Sequence, residues 1–429
     1  MTESGRPVFL IDGSRTPFLK GRGVPGPFAA ADLAFLAGRP LLMRLPFAAS
    51  AFDEVIVGCT AAGPDEANIA RVVALRLGCG QQVPAWTVQR NCGSGLQAIT
   101  AAHAAIAGGR ADLVLAGGTE AMTHAPVLFT RALVRALGEW TRARSAAGRL
   151  GVLARLRPAH FKPVIGLLRG LTDPIVGLSM GQTAEIIAHR FGVSRESMDD
   201  YAARSHQRLT RAQAGGQLTE IETIYDWRGN YYDRDDGVRP DSTPAALARL
   251  KPVFDRPIGK VTAGNSAQVT DGAAWVVLAS AEAVRRYQVP VLARVVDWQW
   301  AGLDPAQMGL GPVHAVTPLL GRHGLTVAAI DAWEINEAFA AQVLACLAAW
   351  RDAVFCREQL GLEGAAGEID PERLNVDGGG ISLGHPVGAS WARIVLHLAH
   401  VLARRQGRHG VASLCIGGGQ GGALLLARE

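Results

Sequence analysis

No two cysteines in this chain are spaced as CxxC, and its six thiols (Cys59, Cys79, Cys92, Cys346, Cys356, Cys415) show no metal-ligand spacing. A structural zinc site has no support, and free, reduced thiols are expected. The opening residues MTESGRPVFLIDGSRTP carry charges and prolines where a secretory signal needs an apolar core. No stretch has the length and apolar density of a membrane span; the C-terminal CIGGGQGGALLL is too short and too rich in glycine. A cytoplasmic protein is the expectation. A net charge of +5 over 429 residues gives no ground for nucleic-acid binding and fits an anionic small-molecule partner. The 51 glycines follow no collagen-like period, so they signal tight turns and close backbone approaches. What is present is apolar: hydrophobic residues make up 48% and charged residues 19%, which excludes wholesale disorder and provides for a large core. The length suggests two or three domains.

Apolar strands alternate with Ala- and Leu-rich helices, the pattern of an α/β protein with mostly parallel strands. PVFLIDGSRTP, DEVIVGCTA, WTVQR and ADLVLAGGTEAM read as strands, with the helix GLQAITAAHAAIAGG before the last. From about residue 291 a similar order recurs, through PVLARVVDWQWAG, AIDAWEINEAFA, the helix in GHPVGASWARIVLHLAHVLARRQ, and GVASLCIGGGQGGALLL. This reads as a duplicated α/β unit. The expected division is an N-terminal half over 1–122 that returns at 270–290, an inserted region over 123–269, and a C-terminal half over 291–429. Within the insertion, residues 131–170 carry nine Lys or Arg against one acid, Glu139, with apolar residues at helical spacing. That predicts a basic amphipathic helix or helical hairpin, either a solvated face or a contact with a membrane surface or partner subunit. Beyond it, SMGQTAEIIAHRFGVSRESMDDYAARSHQRLTRAQ reads as two helices split at Gly192, with Ser194 capping the second.

Cys92 lies between a β-branched stretch and a run of helix formers, where a helix N-terminus favours thiolate. Three further loops look like strand ends, where α/β folds build active sites. They are NEAFA with Asn336, GGGISLGHPVGAS with His385, and CIGGGQGG with Cys415. Taken singly, His385 reads as a turn residue, Cys415 as core, and Asn336 as the cap of a helix starting at Glu337. Their joint occurrence in matching positions of a duplicated fold argues for an active site.

These motifs, with NCGSGLQAI, GGTEAM, SMGQTAE, VTAGNS and TDGAA in the same order, resemble the thiolase superfamily of acyl-CoA acyltransferases along essentially the whole chain. The resemblance implies the duplicated thiolase fold, five-layered αβαβα, with an inserted loop domain. It implies ping-pong cleavage of 3-ketoacyl-CoA by CoA, or the reverse Claisen condensation, with coenzyme A and acyl-CoA as substrates and no cofactor or metal. Cys92 would carry the acyl group, its pKa lowered by the helix N-terminus and by His385. His385 would be its base and Cys415 the second acid/base. A water on Asn336 would form one oxyanion hole with His385, and backbone N–H groups of Cys92 and Gly419 the other. Arg239 would reach the nucleotide end of CoA and Phe254 would pack on pantetheine. Ala263, Ser266, Met180, Met308, Ala338 and Phe339 would complete the CoA and acyl site. The resemblance further implies a homodimer or homotetramer.

Some positions depart from the family pattern. TAGNSA replaces the usual TAGNAS, so Ala267 stands where a hydroxyl contacts CoA and Ser266 comes one place early. Trp391 and Trp275 stand where small residues are usual and would fill each other's space, narrow the acyl pocket or pack outside it. The stretch 349–372 and the basic loop are similar to the thiolase β subunits of fatty-acid oxidation complexes. That favours longer 3-ketoacyl-CoA and a hydratase/dehydrogenase partner subunit. Two other readings stay open: a ketoacyl-synthase-type (decarboxylating) condensing enzyme, and a non-catalytic CoA-binding scaffold. The former typically has a further catalytic His where this chain has Asn336.

Overall fold

The computed structural model describes residues 5–429. Apolar runs form nine main strands: β1 (Val8–Arg15), β2 (Glu54–Gly58), β3 (Ala85–Val88) and β4 (Leu113–Ala121), then β5 (Thr270–Ser280) after the insertion. The second half adds β6 (Ala293–Gly302), β7 (Ala332–Ile335), β8 (His409–Ile416) and β9 (Gln420–Ala427). β4 and β5 are buried at every residue, so they read as unbroken apolar runs rather than as alternation.

The duplication is written in the pairing. Along β1–β5–β4–β2 the pairs run antiparallel, antiparallel, parallel. Along β6–β9–β8–β7 the same three pairings recur. β3 extends the first set, and β1 joins β6 over Val8–Leu10. The sheet is therefore mixed, not mostly parallel as the sequence suggested. The reason is visible at the C-terminus. The final apolar run, read as one strand, is a hairpin turning at Gly417–Gly419, and a connection that short joins only antiparallel neighbours.

Helices form the remaining layers. α1 (Ala30–Arg44) covers the outer face of the first sheet with Leu33, Ala34, Ala37 and Leu41. α2 (Ser94–Ala107) lies between the sheets, burying Leu96, Ala98, Ile99 and Ala102. The insertion carries α3 (Arg131–Arg142), α4 (Ala146–Ala154), α5 (Met180–Arg190) and α6 (Arg195–Ala214). Gly192 (φ 63°) separates α5 from α6, and the Ser194 hydroxyl caps α6 by accepting from the Ser197 N–H. α7 (Gly311–Arg322) and α8 (Ala340–Arg351) cover the outer face of the second sheet. α9 (Ser390–Arg405) returns to the middle beside α2, contributing Trp391, Ile394, Val395 and Leu398 to the same core. The order helix, sheet, helix pair, sheet, helix is the five-layered αβαβα arrangement.

The two halves meet at glycines. A Cβ on Gly118 would lie 1.9 Å from the Gly388 carbonyl oxygen, and one on Gly95 would lie 2.8 Å from it. Only residues without a side chain let β4 and α2 approach the loop before α9 this closely.

Candidate active site

Asn91, at φ 46°, turns the chain from β3 into α2 in the left-handed region that Asn tolerates better than most residues. Its side-chain amide donates to the Gly417 carbonyl at 2.9 Å. The Gly417 backbone N–H faces the Cys92 sulfur and favours its thiolate. The loop of one half is thus tied to the hairpin of the other, with Cys92 two residues ahead of α2. Desolvation nevertheless pushes the Cys92 thiol above its ordinary 9.0, outweighing these N–H donors, and the Glu120 charge adds to the rise. The expected depression by the helix N-terminus and His385 is corrected here: burial is the larger effect. Cys415, near the end of β8, is buried with Met308 and Phe339, and burial beside Cys92 and Cys346 pushes its thiol well up.

His385 follows Gly384 (φ 102°), and its N–H donates to the Gln268 carbonyl at 3.2 Å. The Ser390 hydroxyl donates to the Pro386 carbonyl (3.0 Å), so its oxygen is left to accept from His385 Nδ1–H at 2.6 Å. That assigns the proton to Nδ1 and leaves Nε2, buried and without a partner among the described residues, as a lone-pair base. Burial and then the Arg393 charge push the imidazole down to about 4. Arg393 is itself buried and paired with Glu334 at 3.0 Å. Asn336, just past β7, is 1% exposed, and neither its amide nitrogen nor its oxygen has a partner among the described residues. It caps no helix, because α8 begins only at Ala340.

Two buried carboxylates fasten these loops, and neither was singled out from the sequence. Glu120 accepts from the N–H groups of Thr60, Ala61 and Gly388, each at 3.0 Å, bridging the halves. Glu337 accepts from Tyr201 (3.0 Å), Ser205 (2.6 Å), Asn375 (3.0 Å) and the Ile381 N–H (3.2 Å), tying β7, α6 and the His385 loop together. The signal was an acid inside each glycine- or alanine-rich motif, GGTEAM and NEAFA. Ser390, Asn91 and Gly417 were also missed.

The residues expected at CoA fall into two groups. Phe254 stacks on Gly181, where a Cβ would come within 2.0 Å of the ring, and packs edge-on to Phe339 at 6.3 Å. The Met180 sulfur lies against Gly417, Met308 is buried in the same core, and the Ala338 carbonyl accepts from the Ala267 N–H. Ala263 is exposed, whereas the Ser266 hydroxyl turns inward to donate to the Thr262 carbonyl at 2.7 Å. Gly419 (φ 73°) shapes the hairpin turn, and its carbonyl accepts from the Leu303 N–H. Arg239 stands apart, its N–H donating to His206 Nδ1 at 3.1 Å. Burial, with the charges of Arg239 and Lys20, pushes His206 down to about 4. Trp275 and Trp391 do not share space. Trp275 sits in the outer core and donates to the Ala34 carbonyl, while Trp391 sits in the central core against Leu96, Trp300 and Gly422. Among the described residues no cluster of His, Cys, Asp or Glu could hold a metal ion.

Two family models match the chain: the thiolase N-terminal domain over residues 8–282 and the thiolase C-terminal domain over 289–428. The chain is 41% identical to a β-ketoadipyl-CoA thiolase of Pseudomonas aeruginosa, covering 99% of each chain. It is 36% identical to a 3-ketoacyl-CoA thiolase of Yersinia pestis, over 100% of this chain and 98% of the relative. Among solved structures, human mitochondrial 3-ketoacyl-CoA thiolase in complex with CoA superposes with a TM-score of 0.84 at 36% identity, covering 99% of this chain and 98% of that one. Acetyl-CoA acetyltransferase of Bacillus anthracis also gives 0.84, at 34% identity, over 99% of this chain and 100% of that one.

Proposed function

The chain belongs to the thiolase family, and on that premise we propose that it cleaves 3-ketoacyl-CoA, or runs the reverse condensation, through an acyl thioester on Cys92. The observation that carries this reading is the convergence of both halves on one place. Cys92, before α2, lies beside Gly417 and Cys415 of the β8–β9 hairpin. The loop that carries His385 reaches the same seam through Gly388, whose N–H donates to Glu120 and whose carbonyl lies against Gly95.

With the Cys92 thiol pushed up and the His385 imidazole pushed down to about 4, proton transfer between them is uphill before substrate binds. The resting pair is therefore thiol and neutral imidazole. Transfer to His385 Nε2 accompanies attack of the sulfur on the 3-keto carbon, where the developing oxyanion accepts from the backbone N–H groups of Cys92 and Gly419. Collapse of the tetrahedral adduct breaks the bond between C2 and C3. The electron pair passes to the enolate of acetyl-CoA, held by His385 and by a water on Asn336. Cys415 protonates C2, and acetyl-CoA leaves. The Cys415 thiolate then takes the proton of an incoming CoA thiol, whose sulfur attacks acyl-Cys92. The shortened acyl-CoA departs, and the imidazolium returns its proton to Cys92. Arg239, in a basic corner with Lys20, faces the phosphates of CoA, a role suited to a guanidinium. Phe254, Phe339 and Met180 enclose the pantetheine. The enzyme works as a homodimer or homotetramer in the cytoplasm, where its six free cysteines stay reduced.

Intact-protein mass spectrometry after exposure to acetyl-CoA or a long-chain 3-ketoacyl-CoA, without free CoA, tests this. The expected result is an acyl adduct that maps to Cys92 and is absent in Cys92→Ala. Folded protein that takes no adduct from either would overturn it in favour of a CoA-binding scaffold.

A further inference from the structure

The stretch from Val127 to Arg169 is a subdomain almost without a core. In α3 and α4 only Leu133 and Val152 are buried, at 6% and 5% exposure. Large apolar side chains point into solvent instead: Phe129 64%, Val134 56%, Leu137 48%, Leu150 65%, Phe161 57% and Leu168 63%. Scattered exposed apolar residues are ordinary, but this many on one short insertion mark a covered surface. The nine Lys and Arg of 131–170 are all exposed, and only Arg155 finds an acid there, Glu139 at 2.8 Å. On α3 the spacing puts Arg131, Arg135 and Arg142 on one face, the exposed Val134 and Leu137 beside them, and the buried Leu133 with Trp140 on the opposite side.

We infer that this face docks on an anionic lipid surface, its leucines and phenylalanines entering the headgroup boundary while its guanidiniums pair with lipid phosphates. The chemistry is that of an interfacial helix: a strongly basic face flanked by exposed valine and leucine, with the exposed Phe129, Leu150 and Phe161 on the neighbouring segments. A second copy of the chain fits poorly, because an isologous contact would bring two unneutralised basic faces together. A lipid surface suits apolar groups that protrude from several short elements with arginines between them, since long basic stems let charges stay in the headgroups while neighbours insert. Among the described residues no helix is long and apolar enough to cross a membrane, so the contact is peripheral.

Vesicle flotation of the full-length protein tests the inference, with phosphatidylcholine alone and with phosphatidylcholine mixed with phosphatidylglycerol, at low and high salt. Binding to the anionic vesicles only is expected, weakened by salt. Replacing Arg131, Arg135 and Arg142 by Gln lowers partitioning on the order of a hundredfold. Leu137→Ser combined with Leu150→Ser also weakens it. In all variants thiolysis of a soluble short-chain 3-ketoacyl-CoA stays at the native rate, which separates lost docking from lost folding. Failure of the native chain to bind anionic vesicles overturns the inference, as does binding that survives both sets of substitutions. Self-association or capture of an acidic protein that these substitutions abolish, with no vesicle binding, reassigns the face to a protein interface.

Discussion

Ser390 accepts from His385 Nδ1–H while its own proton goes to Pro386, so one hydroxyl fixes which imidazole nitrogen is free. Removing it leaves the ring able to flip or change tautomer. Ser390→Ala is expected to lower kcat about 10- to 100-fold, the worth of ~1–3 kcal/mol for one buried hydrogen bond, with KM nearly unchanged. A steady-state comparison in which kcat holds and KM rises would assign Ser390 to substrate binding instead. The pH profile follows from the same residue. An imidazole pushed down to about 4 is unprotonated, and competent as a base, at every pH above that value. The acid limb of kcat/KM is therefore expected well below the ordinary histidine value near 6.5. A limb at 6.5 in a kcat/KM titration would show that His385 is more solvated than this structure has it. Trp391 illustrates a local cost: its ring is buried but its Nε1 has no partner among the described residues, a loss of ~1–3 kcal/mol set against burial of the indole.

At the scale of elements, the junction of β4 with the loop before α9 is fixed by backbone against backbone. Because the Cβ of Gly118→Ala would fall 1.9 Å from a carbonyl oxygen, no rotamer relieves it and the strand or the loop must move. A loss of more than ~3 kcal/mol in denaturant unfolding is expected, together with loss of acylation at Cys92, since the His385 loop shifts with Gly388. An active Gly118→Ala enzyme of native stability would mean the halves can separate at this seam without harm. The same seam shows what the sequence could and could not disclose. Cys92, Asn336, His385 and Cys415 could be picked out as candidates because each stands in small-residue punctuation at the end of an apolar run. The repeat of the two halves was legible in the order of those runs. Antiparallel pairing of β5 and β9 was not, because apolar content does not encode direction. Nor was the bond from Glu120 to Gly388, which joins residues 268 apart. The raised Cys92 pKa was hidden for a related reason: the helix end is local and readable, whereas desolvation is produced by everything packed around the thiol.

Across the whole molecule, a chain of buried charges links the insertion to both halves. Glu220, from the insertion, meets Arg15 of β1 at 3.3 Å and His397 of α9 at 3.0 Å. His397 also meets Asp377 at 3.1 Å. The two carboxylates override desolvation and hold His397 up at about 9, while Glu220 is held well below the usual carboxylate range. A histidine whose folded pKa is raised contributes stability that is full below its unfolded value near 6.5 and is lost as pH climbs through about 9. The melting temperature is expected to fall across that window. His397→Ala should remove the slope and cost ~3 kcal/mol at neutral pH, since it leaves buried carboxylates short of a partner. Calorimetry of both proteins from pH 6 to 9.5 checks this; parallel curves would show that His397 is neutral in the fold.

One feature of the site reaches beyond turnover. Peroxide attacks thiolates, and the oxidation of cysteine to sulfenic acid begins there. By pushing the Cys92 thiol up, desolvation keeps its sulfur protonated and makes it a slow target for oxidants. In the proposed cycle, acylation then covers the sulfur. Vulnerability is confined to the brief moments when the sulfur is charged and bare, so the packing that makes the resting nucleophile sluggish also preserves it between encounters.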